Sequence, residues 1–94
     1  MTMAPQLRSP VRLQVRYFAS LREALGAGET VELPAGSRVA DLRAALVARS
    51  PLHADKLGPG RAVRCAVNQL MCQDDSQPLP EGAEVAFCPP VTGG

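Results

Sequence analysis

The residues best suited to chemistry close the sequence: Val85-Ala86-Phe87-Cys88-Pro89-Pro90-Val91-Thr92-Gly93-Gly94. The alternation around Val85 and Phe87 reads as a buried strand. Pro89 and Pro90 lack the backbone N–H that a sheet ladder needs, so the chain must leave the sheet there. Beyond them only Val91, Thr92 and two glycines precede the terminal carboxylate. A terminus without side chains fits a channel that any Cβ would block. Gly94 is therefore the candidate reactive end.

The other reactive side chains form no such pattern. Cys65, Cys72 and Cys88 show neither metal-ligand spacing nor a neighbouring histidine, and Cys65 reads as a strand core residue. Three scattered cysteines also fall short of the four that an iron–sulfur carrier requires. His53, the single histidine, stands in a stretch read as loop and is assigned a surface place. No metal site is expected.

Ninety-four residues make one small domain. Tyr17, Phe18 and Phe87 are the only aromatics, so the core must be aliphatic. Ten basic and nine acidic residues are dispersed, which leaves no footprint for nucleic acid or a membrane surface. An odd cysteine count, no signal-like apolar segment and no stretch approaching a membrane span point to the cytoplasm.

The elements that must position the tail follow from periodicity. Residues 1–10 read as a flexible arm, with Met3 a candidate start. Val11, Leu13, Val15 and Tyr17 alternate with Arg12, Gln14 and Arg16, the signature of a half-buried strand. Phe18, Leu21 and Leu25 fall on one helical stripe closed by Gly26, and Thr30–Leu33 alternates again before the Pro34-Ala35-Gly36 turn. Val39, Leu42, Ala45 and Leu46 predict the main amphipathic helix over about 39–49, with Ser37 as N-cap, Asp41 favourable in its first turn and Ser50-Pro51 as its stop. Residues 52–61 read as a turn-rich connection. Residues 62–68 resume strand character up to a turn at Asn68, and residues 69–72 suit a brief edge strand. Leu79 reads as an isolated apolar anchor, and Gly82 as a turn glycine of positive φ. The order is α+β, best met by a β-grasp: a mixed sheet with one main helix packed on one face. In that arrangement the last strand, ending at residue 88, lies parallel beside the first, and residues 89–94 form a flexible tail.

Several stretches together resemble the sulfur-carrying small subunits of molybdopterin synthase, within the ubiquitin-like β-grasp sulfur carriers. The resemblance rests on Glu81-Gly82-Ala83-Glu84-Val85-Ala86-Phe87-Cys88-Pro89-Pro90-Val91-Thr92-Gly93-Gly94, on Tyr17-Phe18-Ala19-Ser20-Leu21-Arg22-Glu23 and on Ala66-Val67-Asn68-Gln69. Cys88 stands where an aromatic residue is common, and the N-terminal arm is longer than usual. The resemblance implies that the Gly94 carboxylate is adenylated with ATP by an E1-like enzyme and then converted to a thiocarboxylate. The group is thus carried as a covalent glycyl-adenylate or 1-thioglycine, with no tightly bound cofactor. It further implies that Gly93, Thr92, Val91 and Pro90 thread into the large synthase subunit, where sulfur passes to cyclic pyranopterin monophosphate in a heterotetramer. Phe18, Arg22 and Phe87 are candidates for the partner interface, and an apolar patch is expected on the sheet face that carries no helix.

The implied chemistry is sound in itself. A carboxylate is a poor electrophile, and attachment of AMP neutralises it and supplies a leaving group for an incoming sulfur nucleophile. Enclosing the terminus in a channel excludes water that would hydrolyse the intermediates. Two other readings remain: the same carrier chemistry in another pathway (thiamine, an amino acid or ubiquitin-like conjugation), or a β-grasp interaction module whose tail does no chemistry.

Overall fold

The computed structural model describes residues 10–90. Strand β1 (Val11–Tyr17) alternates strictly between buried and exposed residues, so Val11, Leu13, Val15 and Tyr17 supply one wall of the core. Helix α1 (Ala19–Leu25) follows at once and buries Leu21; the Gly26 N–H closes it on the Arg22 carbonyl. Strand β2 (Gly28–Leu33) returns antiparallel to β1, with Arg16 opposite Gly28 and Val11 opposite Leu33. Only glycine suits position 28, because a Cβ there would collide with the Val15 carbonyl oxygen.

Helix α2 (Val39–Val47) lays Val39, Leu42 and Leu46, all fully buried, against the sheet. Each contributes on the order of 1.5–3 kcal/mol of transfer free energy before entropy is subtracted. Its N-cap is Arg38, whose N–H donates to the Asp41 carboxylate at 2.8 Å. The expected cap, Ser37, is instead buried with its hydroxyl donated to the Pro34 carbonyl at 2.7 Å. The preceding turn offers that carbonyl, and a local side-chain bond to backbone competes with capping. The segment after β4 meets the next free N–H groups of α2: Val39 donates to the Gln77 carbonyl and Ala40 to that of Asp75.

A third helix replaces the expected connection over 52–61. Ser50-Pro51 stops α2 and also starts α3 (Pro51–Leu57): the Ser50 hydroxyl accepts the His53 N–H at 3.1 Å and proline occupies the first turn, where its missing N–H costs nothing. Leu57, fully buried, packs this helix into the core.

Strands β3 (Arg64–Val67) and β4 (Leu70–Met71) form a hairpin whose two turn residues, Asn68 and Gln69, both take positive φ (49° and 71°). That is the backbone of a tight hairpin turn with the twist of its strands, and asparagine tolerates it well. Leu79 is buried as an anchor, and Gly82 turns the chain at φ +77°. Strand β5 (Glu84–Cys88) then enters between β1, to which it is parallel, and β3, to which it is antiparallel. The sheet order is β2-β1-β5-β3-β4. The α+β class, the mixed sheet and the parallel pairing of first and last strands are as the sequence predicts. The main helix α2 is the longest of the three, joined by the expected short α1 and by α3, which stands in place of the expected connection.

Phe87 is corrected as an interface candidate. It is fully buried, stacked on Tyr17 with ring centroids 6.4 Å apart, because strand alternation turns it with Val85 toward the helices. Phe87→Ala should lower unfolding free energy in urea by about 3–5 kcal/mol, whereas Phe18→Ala, at an exposed ring, should cost about 1 kcal/mol or less. Equal losses would contradict this placement.

Candidate functional site

Strand β5 is held on both edges, so its exit is fixed. The Phe18 N–H donates to the Phe87 carbonyl at 3.1 Å, extending the β1 pairing to the point where the prolines begin. Pro89 is half-buried and Pro90 exposed, at one end of a groove of about 270 Å³ that also touches Leu21, Lys56, Arg61 and Val63. Lys56 and Arg61 both pair with Asp55, at 3.8 and 3.2 Å. Val91, Thr92, Gly93 and Gly94 lie outside the described residues. So do residues 1–9 of the expected N-terminal arm.

The outer face of the sheet, which carries no helix, divides by composition. Over β1 and β2 it is charged, with Arg12 paired to Glu32 at 3.0 Å and Arg16 to Glu84 at 2.9 Å. Toward β4 it is apolar and shallow. The register places Arg16, Ala86, Ala66 and Met71 in one row across four strands. Two half-buried alanines form its floor, and Met71, 54% exposed, stands at its rim. In the next row Cys88 lies opposite Arg64, and Phe18, 39% exposed, lies beside Arg16, whose guanidinium sits 5.6 Å from the ring centroid. The structure thus brings Phe18 to the expected apolar patch, at the same end of the sheet from which Pro89 and Pro90 emerge. Arg22 is exposed on α1 with no ion pair among the described residues. Sequence reasoning missed Ala66, Ala86 and Met71. Their signal was present: on strands whose inward residues are Cys65, Val67, Val85 and Phe87, small or apolar residues at the alternate, solvent-facing positions are out of place.

On the inner side a polar cluster joins β1, β2, α3 and the turn between α2 and α3. The Glu29 carboxylate accepts from the Tyr17 hydroxyl at 2.6 Å, meets His53 Nε2 at 2.9 Å and pairs with Arg49 at 3.1 Å; His53 Nδ1 is 2.8 Å from the Ser50 hydroxyl. His53 is therefore not the surface loop residue expected, because α3 turns it inward beside Tyr17. A serine, histidine and carboxylate in line suggest a hydrolytic relay, but the Ser50 oxygen is engaged as the cap of α3. The cluster is a structural tie. Burial opposes the Glu29 charge, yet the bonds from Tyr17 and His53 and the Arg49 charge outweigh it and hold the carboxyl below its usual range. Burial first, then the bond to Glu29, keeps the Tyr17 phenol protonated far above its ordinary value. Among the described residues no three His, Cys, Asp or Glu side chains are grouped to hold a metal, and no helix is long and apolar enough to cross a membrane.

A mixed five-stranded sheet in this order, with helices on one face, defines a ubiquitin-like β-grasp protein. The chain belongs to the ThiS family, whose model matches residues 15–94. It is 40% identical over 82 residues to the molybdopterin synthase sulfur carrier subunit of Escherichia coli K12, covering 87% of this chain and 99% of that one. The subunit of the same name from Chlamydomonas reinhardtii is 35% identical over 86 residues, with 89% and 100% covered. Among solved structures, a putative molybdopterin converting factor subunit 1 from Pyrococcus furiosus superposes with a TM-score of 0.72 at 33% identity, over 86% of this chain and 99% of that one.

The cluster has a pH signature. A carboxyl held low in the folded state adds stability that is complete above its unfolded value, about 4.3, and is lost as pH falls through the folded value. Glu29→Gln should lower stability at pH 7 and flatten its decline below about pH 4.3. Parallel acid limbs for variant and wild type in urea titrations would show that Glu29 does not carry the dependence.

Proposed function

We propose that this chain is the sulfur-carrier subunit of a molybdopterin synthase, acting only in complex with a large subunit. The observation that carries the reading is the family match through Gly94, joined to near-full-length identity with two carriers of that name. In this reading the Gly94 carboxylate attacks the α-phosphorus of ATP on an E1-like enzyme and releases pyrophosphate. A sulfur nucleophile then displaces AMP, leaving a terminal thiocarboxylate. In the large subunit that sulfur attacks cyclic pyranopterin monophosphate, water cleaves the acyl–sulfur bond and restores the Gly94 carboxylate, and two such transfers build the dithiolene. The protein supplies no catalytic side chain of its own; it supplies a nucleophile on a leash of fixed origin. Four residues beyond Pro90 reach at most about 14 Å, so the docked domain must sit close to the reaction centre.

The outer-face trough supports docking. Ala66 and Ala86 offer backbone-close apolar surface, Met71 an adaptable side chain and Phe18 an aromatic anchor, the features of an interface core, with Arg16 and Arg64 as a polar rim. Carrier service in thiamine or amino-acid pathways, or conjugation to lysines, shares the tail chemistry and would differ in the partner that the trough accepts.

The test is molybdopterin formation from cyclic pyranopterin monophosphate by the thiocarboxylated protein and a large subunit. Product is expected, and none with the plain carboxylate; no product with an active large subunit would assign the chain to another carrier pathway. Gly94→Ala should reduce the rate at least about 100-fold by obstructing the channel with a Cβ, without altering the unfolding curve. Ala86→Arg should weaken large-subunit binding by about 100-fold or more at unchanged fold, measured by calorimetry.

A further inference from the structure

The thiols of Cys65 and Cys72 lie 4.0 Å apart, and both are free. They face one another across the β3–β4 hairpin, one step beyond the Ala66–Met71 pair, and the Cys72 N–H donates to the Cys65 carbonyl at 2.9 Å. Opposed residues at a hydrogen-bonded position have Cα atoms about 5.5 Å apart, within the span a disulfide accepts. A side-chain rotation can therefore bring the sulfurs to bonding distance without moving the strands. The two are unequally accessible. Cys65 is buried at 6% exposure, whereas Cys72 is half-buried on the edge beside β4. Both line an open cavity of about 350 Å³, walled also by Arg64, Met71, Gln73 and Asp75, so a small oxidant can reach them. Cys88 cannot join the pair: it stands opposite Arg64 while Cys65 stands opposite Phe87, so successive residues send the two side chains to opposite faces.

We propose that Cys72 is a site of reversible thiol modification by low-molecular-weight disulfides, with Cys65 as the resolving thiol that closes an internal Cys65–Cys72 bridge. The Cys72 thiolate attacks one sulfur of the small disulfide, expelling one small thiolate and leaving a mixed disulfide. Cys65 then loses its proton and attacks Cys72 Sγ, expelling the second. The two protein thiols are oxidised by two electrons, the small disulfide is reduced to two thiols, and the two protons go to the leaving thiolates. Burial, with the neighbouring Cys72 adding to it, pushes the Cys65 thiol up to about 12, so the second step is the slower and the mixed disulfide is a resolvable intermediate. The bridge fixes the end of β4 to β3. The segment that starts at Cys72 also holds the start of α2, through Asp75 and Gln77, so the modification stiffens a region spanning the edge of the docking trough and the opposite face.

The experiment incubates the reduced full-length protein with oxidised glutathione and follows it by intact mass and by non-reducing peptide mapping. Expected is a glutathione adduct at Cys72 that gives way to a species lighter than the reduced protein by two hydrogens, with the bridge mapped to Cys65 and Cys72. That species should unfold at a thermal midpoint higher by roughly 5–10 °C and return to its original midpoint on reduction. Cys65→Ser should hold the adduct at Cys72 without closure. If that variant unfolds, Cys72→Ser, altered at the more exposed site, should show no adduct at Cys65. An adduct that never closes in the wild type, modification at Cys88 in preference to Cys72, or a disulfide between two chains would each overturn the proposal.

Discussion

Strand β5 is paired on both edges, to β1 along Gln14–Tyr17 and to β3 along Arg64–Val67, and the domain depends on that double pairing. It brings Val85 and Phe87 to the centre of the core, against Tyr17 and beneath α1, and it carries no free edge of its own. Two prolines follow immediately. A strand locked in the middle of a sheet and then forbidden to continue delivers the chain to a defined point with a defined direction.

The two faces of the sheet do different work with the same alternation. Inward residues are mostly aliphatic, with the stacked Tyr17 and Phe87 rings among them, and the helical layer closes over them. Outward residues are largely charged or polar over β1 and β2, with Glu84 of β5 paired to Arg16, whereas Ala86 and Ala66 make a small apolar floor over β5 and β3, beside Arg64. Paired surface charges contribute little to stability individually, but they keep that half of the face solvated and leave the alanine floor as the part that gains from being covered. Beneath the sheet the Glu29 cluster ties β1, β2 and the α2–α3 corner together through one carboxylate, which shows how a domain with three aromatics can still fix the positions of its helices.

Much of this was legible in the residues. Strict alternation in Val11–Tyr17 and helical spacing in Val39–Leu46 announced their elements because each buries one face only. The Pro89-Pro90 exit and the Gly82 turn were legible because backbone chemistry leaves them few alternatives. What failed did so for physical reasons. Ser50-Pro51 carries the same signal for stopping one helix and capping the next, so α3 was hidden, and with it the inward turn of His53. Ser37 lost its capping role to a nearer carbonyl, a competition spacing does not reveal. Phe87 was drawn toward the interface by its place near the tail, although its parity with Val85 already assigned it to the core. The alanine floor was overlooked because small residues have weak patterns, and only cross-strand register shows Ala66 and Ala86 side by side.

The central position of β5 also bears on when this domain can exist. Every other element precedes it in the chain, yet β1 meets only β2 until β5 arrives, and the β3–β4 hairpin has no neighbour to join. Loops of some seventy residues must close before the middle of the sheet forms, a topology that folds late and all at once rather than by accretion. A nascent chain on the ribosome therefore holds no finished platform until the segment leading to the glycines has itself emerged. A chain that stops short of β5 lacks the strand that unites the two halves of the sheet.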